Sequence, residues 1–454
     1  LNSERERMLA GEPIPSLIWK LSLPAMVGML VNALYNFVDT IYIGHGVGAL
    51  GIAGLSIAMP LQMIIGGIGI MLGVGAASVI SRNLGARNYK RAELAFGNNL
   101  LVIVFFGAAI TLMGIMMGDP ILKVFGASDA IMPYARDYMS IIFIGSPLTV
   151  FTMSMNNVIR SEGAAKVAMY SMIVGAVANI IMDPIFIFSL GLGVKGAAIA
   201  TILSRVFSVV WIVYYYASGQ SILNFNVKYI RPRPDIWAEI IVIGFPELVR
   251  NAATSFVFGM VNWQAAIYGG DLAVALFGVN NKVVMTAGMP MIGIAQGMQP
   301  ILGYSYGAGS YHRARDVVKR SAFIATIFSV CMALCLQLFP TQILSIFTND
   351  AGLLSIGPRA MRLMTMGVFV IGFQMVGGSM FQAIGKALPS FVLNTSRQIF
   401  ILIPFLYFLP QHIGLDGVWL SFPISDVLSS VITLLMVLPQ MKRFKKAELA
   451  IVGK

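Results

Sequence analysis

Gly85-Ala86-Arg87-Asn88-Tyr89-Lys90-Arg91-Ala92 returns later in the chain as Gly307-Ala308-Gly309-Ser310-Tyr311-His312-Arg313-Ala314. The same fixed offset pairs Pro24 with Pro246 and Gly163 with Gly385. After a one-residue slip, Gly193-Val194-Lys195-Gly196 pairs with Gly414-Leu415-Asp416-Gly417. The second half of the chain therefore repeats the first. Around these anchors lie twelve apolar stretches: 17–44, 51–82, 92–118, 132–159, 167–190, 196–217, 237–268, 273–304, 317–339, 357–384, 390–410 and 417–440. Roughly 20 apolar residues cross the hydrocarbon of a bilayer, and longer runs tilt or overhang. Six spans per repeat leave both halves in the same orientation, so their symmetry axis runs along the membrane normal.

Composition agrees. Of 454 residues 57% are hydrophobic and 11% charged, with mean hydropathy +0.82. That is an all-α, polytopic membrane protein, not a soluble one. The net charge of +12 does not signal nucleic acid, because the basic residues gather in alternate short loops. They are Arg5 and Arg7; Arg82, Arg87, Lys90 and Arg91; Lys228, Arg231 and Arg233; Arg313, Arg315, Lys319 and Arg320; and Lys442, Arg443, Lys445 and Lys446. By the positive-inside rule both termini are expected in the cytoplasm, in a multi-pass protein of the plasma (inner) membrane. Residues 1–217 are expected to form one six-helix lobe, 218–235 a cytoplasmic linker, and 236–454 the second lobe with a basic tail. The two cysteines, Cys331 and Cys335, share one apolar run and are expected to be buried core thiols. The polar start, Leu1 to Pro15, leads straight into a span with no cleavable signal expected.

Charge inside an apolar run is costly and marks function. In Ala178-Asn179-Ile180-Ile181-Met182-Asp183-Pro184, Asn179 and Asp183 share one helix face. The first span carries Asn32, Asn36, Asp39 and Thr40 as a polar stripe, whose counterparts in the second half are Thr254, Phe258, Val261 and Asn262. Asn179 and Asp183 fall opposite Ile401 and Phe405, so the acidic site belongs to the N-lobe alone. Asp39, Asp183 and Thr201 arrive at similar depth at 1.5 Å per residue. With Asn179 they offer hard oxygens for Na+, or two carboxylates able to share a proton.

Three segments carry a family resemblance. They are Val38-Asp39-Thr40-Ile41-Tyr42-Ile43-Gly44, then Ser78-Val79-Ile80-Ser81-Arg82-Asn83-Leu84-Gly85-Ala86-Arg87-Asn88-Tyr89, and a third from Asn157-Val158-Ile159-Arg160-Ser161-Glu162-Gly163 through Asn179 and Asp183-Pro184 to Gly196-Ala197-Ala198-Ile199-Ala200-Thr201. The chain resembles the multidrug and toxic compound extrusion (MATE) family, and its acid pattern is similar to the DinF-like branch. That likeness implies two pseudo-symmetric six-helix bundles forming a V. It also implies export of organic cations or amphipathic drugs, coupled to inward Na+ or H+ with no other cofactor. In such relatives the residues matching Asp39, Asn179, Asp183 and Thr201 hold the cation, and the proline matching Pro24 bends the first helix. Asn32, Tyr35, Asn36, Gln62, Tyr138 and Met153 are the expected lining of an adaptable substrate pocket, while most of the 29 methionines pack helices.

The remaining signals have plainer readings. Arg205 lies one turn from Thr201, where facing Asp183 would make it an internal counter-charge. Glu247 and Arg250 read as an interfacial ion pair, and Asp426 as a partner for Lys282 or Arg397. Each of those two bases snorkels or caps carbonyls, unless Lys282 faces the cavity. Gly191-Leu192-Gly193-Val194-Lys195-Gly196 spells G-x-G-x-x-G between apolar helices, with no strand to make a dinucleotide site. Gly69 and Gly73 read as close helix packing. Flipping of a lipid-linked saccharide is the alternative function, although it favours an arginine-rich cavity. An enzyme is disfavoured, since H-E-x-x-H, clustered aspartates and a phosphate-binding lysine loop are all missing. A monomer in the bilayer is expected.

Overall fold

In hydrocarbon every backbone N–H and C=O needs a partner within the chain, and an apolar run answers by coiling into a helix. The computed structural model describes residues 2–223, 229–347 and 350–452, without the side chains of residues 2, 3, 36, 40, 49, 451 and 452. Lys228 and the side chains of Asn36 and Thr40 therefore lie outside the described residues. Among the described residues there are helices and no strands. Ten helices are long and apolar enough to cross a bilayer, and the pair Met132–Ile144 and Ser146–Ser161, bent by 57°, makes an eleventh crossing. Pro234–Gly307 runs for 74 residues, about 110 Å of helix against a hydrocarbon core of about 30 Å. It breaks at Gly270, where φ is 66° and ψ −165°, and so holds two spans, for twelve in all. In order they are Ile14–Val47, Ala49–Gly85, Tyr89–Val124, the bent pair, Ala165–Ser189, Gly193–Ala217, the two limbs of Pro234–Gly307, Tyr311–Leu338, Ala351–Ala383, Ala387–Ile413 and Leu415–Val452.

The repeated motif turns out to be a helix-to-helix turn that needs one left-handed residue. In the second half Gly309 takes it, with φ 70°; in the first half Arg87 does so at φ 56°, a conformation that side chains disfavour. Asn88 then caps the third span, its side chain accepting from Arg91 N at 3.2 Å.

Small residues let the helices approach. Ser208 Oγ of the sixth span donates to the Ser171 carbonyl of the fifth at 2.9 Å, and Gly175 faces that hydroxyl. Gly69 packs against Val150 and Met153, and Gly73 against Ser154, as expected of both. Cys331 and Cys335 are exposed, contrary to the expectation of buried thiols. They lie in a span that also exposes Phe323, Ile327, Val330, Leu334 and Leu338. In a lipid-facing span an apolar run does not imply burial in protein.

The two six-helix bundles meet along a seam at the face that carries the basic loops. A methyl group on Gly75 would collide with the Ile240 carbonyl, and one on Gly244 with the Met71 carbonyl, so two backbones touch there directly. Gly293 and Gly297 of the eighth span press in the same way on Met26 and Ser22 of the first. One apolar core runs through the first bundle and across this seam to Ile240, Ile301 and Met380. A second core, from Val257 to Phe422, is confined to the half of the C-terminal bundle away from the seam. The bundles are joined at one face and divide above it.

Candidate functional site

The first and fifth spans carry the two acids, and the sixth carries Thr201, to one place in the N-terminal bundle. Asp183 is fully buried and Asn179 nearly so, and Asn179 Nδ2 donates to Asp183 Oδ1 at 3.2 Å, as one helical turn allows. Asp39 and Asp183 lie in each other's field. Pro184 follows Asp183, and the helix widens at once into a π turn over Ile185–Ser189. Thr201 Oγ1 donates to the Ala197 carbonyl at 2.9 Å, keeping its lone pairs for another partner.

Tyr138 gathers the remainder. It is buried, interacts with the side chains of Gln62 and Thr201, and feels Asp39 and Tyr35. Asn32 is half-buried one turn from Tyr35 on the same helix. Of the expected lining residues, Tyr35, Gln62 and Tyr138 are thus brought to the acids. Met153 is half-buried where the second and fourth spans cross, its Cβ 2.8 Å from where a Gly69 side chain would sit, a packing contact. Pro24 is buried inside a helix that stays continuous through it.

Three buried oxygens here have no hydrogen-bond donor: Asp39 Oδ1, Asn179 Oδ1 and Asp183 Oδ2. Burying such atoms unpaired is expensive. Two carboxylates, an amide oxygen and a threonine hydroxyl form the set of hard oxygens that Na+ takes, and the carboxylates alone can take H+. Arg205 does not neutralise them. Its Nη2 donates to Tyr35 Oη at 3.0 Å, its guanidinium lies 5.9 Å from that ring, and among the described residues it forms no ion pair.

The C-terminal bundle has charge of another kind. Arg397 Nε meets Oδ1 of the buried Asp426 at 2.6 Å, so this carboxylate has a counter-charge, while its Oδ2 has no donor. Glu247 pairs with Arg250 at 2.6 Å as expected, and it is buried, with Gln382 Nε2 also donating to it at 2.9 Å. Sequence reasoning missed the seam partner Glu239, which accepts from Arg82 at 3.0 Å and Arg91 at 2.9 Å. The available signal was a pair of acids, Asp235 and Glu239, at the start of a span whose preceding loop is basic.

The sequence was also compared with known proteins. The MatE family model matches residues 24–185 and again 246–408, once per bundle and starting at the two paired prolines. The chain belongs to the MatE family. This MatE chain is 26% identical to the multidrug export protein MepA of Staphylococcus aureus over 426 residues, 94% of each protein. It is likewise 26% identical to MepA of Staphylococcus saprophyticus, over 92% of each. A MATE crystal structure in complex with MaL6 superimposes with a TM-score of 0.92 at 28% identity, over 97% of this chain and 99% of that one. An outward-facing multidrug resistance MATE family transporter of the MOP superfamily does so at 0.91 and 28%, over 97% and 98%. The family's members are transporters, and so is this chain: a V-shaped membrane carrier rather than an enzyme.

Proposed function

We propose that this MatE protein is a secondary multidrug antiporter of the plasma membrane. It exports amphipathic organic cations in exchange for Na+ or H+ entering through the site of Asp39, Asn179, Asp183 and Thr201. The observation that carries the reading is the group of three buried, donorless oxygens in one bundle of a two-bundle carrier. Such a group is stabilised when it takes up a cation and must give it back for the cycle to turn. The face bearing the basic loops lies in the cytoplasm with both termini, so the seam described above closes the inner side. Pro24 removes one helical hydrogen bond from the first span and is the point where that helix bends to change the site. The protein acts as a monomer.

Purified protein in liposomes, with Na+ and H+ gradients imposed separately, tests this. Uptake of a fluorescent organic cation driven by at least one outward-directed ion gradient is expected. Transport indifferent to both gradients would overturn it.

A further inference from the structure

Lys282 stands on the eighth span, where the structure gives it an unusual setting. It precedes Gly293 by eleven residues, about three turns of helix, and φ and ψ stay helical between them. Both residues therefore point the same way, and Gly293 presses on Met26 of the N-terminal bundle. The face that seals the seam at Gly293 and Gly297 continues outward as Met289, Thr286, Lys282, Gly278 and Ala275. Above Gly293 that face is uncovered: Lys282, Thr286, Gly278 and Ala275 are all exposed, and a methyl group on Gly278 would meet nothing within 4 Å. Lys282 thus looks into the cleft between the bundles.

Depth makes this placement matter. Lys282 lies twelve residues below Gly270, about 18 Å down the helix and close to the middle of a bilayer core of about 30 Å. An ammonium facing lipid there carries a large penalty, which a wet cleft removes. Among the described residues it has no ion-pair partner, whereas its bundle mates Arg397 and Arg250 have theirs in Asp426 and Glu247. The other bundle carries Asp39, eight residues or about 12 Å from the end of its helix and in the field of Asp183, and its Met63 meets Ser255 of the C-terminal bundle. The cleft is therefore positive on one wall, acidic within the other, and adaptable between them.

Resting on the exporter reading above, we infer that Lys282 is a specificity-determining residue that binds an acidic group of the substrate, so that the protein takes zwitterionic amphiphiles as well as simple cations. A carboxylate meeting an unpaired ammonium away from bulk water gains a charge-assisted hydrogen bond, while the cationic end of the same molecule stays attracted to the acids.

Rhodamine 110, which bears a free carboxylate, and rhodamine 123, its methyl ester, separate the two contributions. Binding of each to purified wild-type, Lys282→Met and Lys282→Arg proteins is followed by fluorescence polarisation. The expected result is that Lys282→Met weakens rhodamine 110 binding about tenfold and leaves rhodamine 123 unchanged or tighter, and that Lys282→Arg restores the difference. Equal effects on both dyes, or tighter ester binding with rhodamine 110 unaffected, would overturn the inference and leave the exporter reading standing. Wild-type protein that binds the ester but not rhodamine 110 does the same. Wild-type protein that binds neither dye sinks both readings. Gel filtration of the variants checks that the fold survives, as expected for an exposed side chain.

Discussion

Asp39 and Asp183 are a liability to folding that only a bound cation relieves. Their unpaired oxygens cost stability, and the field of each disfavours charge on the other. Asp39→Asn and Asp183→Asn are therefore each expected to abolish ion-driven export while leaving melting temperature equal or higher. Flux assays beside thermal melts check this, and wild-type export by either variant would dismiss the site. Thr201 divides the two coupling ions. Its hydroxyl can coordinate Na+ but does not titrate. Thr201→Val should weaken Na+-driven transport tenfold or more, if one good ligand is worth about 1.4 kcal/mol, and spare transport driven by a pH gradient. Equal losses would make Thr201 a packing residue that holds Ala197 and Tyr138. The acids were legible in the sequence because a charge inside an apolar run stands out. Arg205 was not, since the spacing that sets it near Thr201 cannot say whether it turns to Asp183 or, as found, to Tyr35.

At the scale of elements, the linker is tied to the bundles at both ends. Glu162, in the turn between the fourth and fifth spans, is fully buried and accepts from Ser221 Oγ at 2.5 Å, Ile222 N at 2.9 Å and Tyr216 Oη at 2.9 Å. Arg5 of the N-terminal helix Asn2–Gly11 adds bonds to Tyr215 Oη at 2.5 Å and the Gln220 carbonyl at 2.8 Å. At the far end Asn98 Oδ1 accepts from Arg233 N and Trp237 Nε1, each at 2.8 Å. Burial pushes the Glu162 carboxyl above its ordinary 4.5, more than the bonds from Ser221, Tyr216 and Ile222 pull it down. The folded state then binds this proton before the unfolded state does. The penalty is full above the folded value and disappears as pH falls through it toward 4.5. Wild-type protein should accordingly gain melting temperature relative to Glu162→Gln as pH drops from 8 to 5. Parallel melting curves for the two proteins would exclude Glu162 as the cause. The sequence marks this linker only by its position between the two repeats and by Arg231-Pro232-Arg233-Pro234 near its end, and no periodicity encodes contacts between residues this far apart.

For the whole molecule, the repeat disclosed two bundles of six spans, because helical crossings leave a long apolar signature and a fixed offset survives divergence. Which faces of the bundles touch is another matter. Gly75, Gly244, Gly293 and Gly297 read as ordinary glycines until their neighbours across the seam are seen, and single-chain patterning carries no record of a surface that must both close and open. Glu239 is the polar counterpart of those glycines: it reaches from the C-terminal bundle to Arg82 and Arg91 of the other. These side chains are partly solvated, so each pair is worth at most about 1 kcal/mol. An alternating carrier needs its states nearly balanced, and a latch of that size can tip the balance without locking it. Removing it by Glu239→Gln should favour the open seam about fivefold. Ser78 reports the change, because it is buried at the seam with Oγ bonded to the Gln382 carbonyl at 2.5 Å. In protein whose exposed Cys331 and Cys335 are replaced by serine, a thiol reagent should label Ser78→Cys slowly. Adding Glu239→Gln should speed labelling about fivefold, by the same estimate. An unchanged rate would mean that the glycine contacts alone hold the seam, and that Glu239 serves only to keep two arginines company.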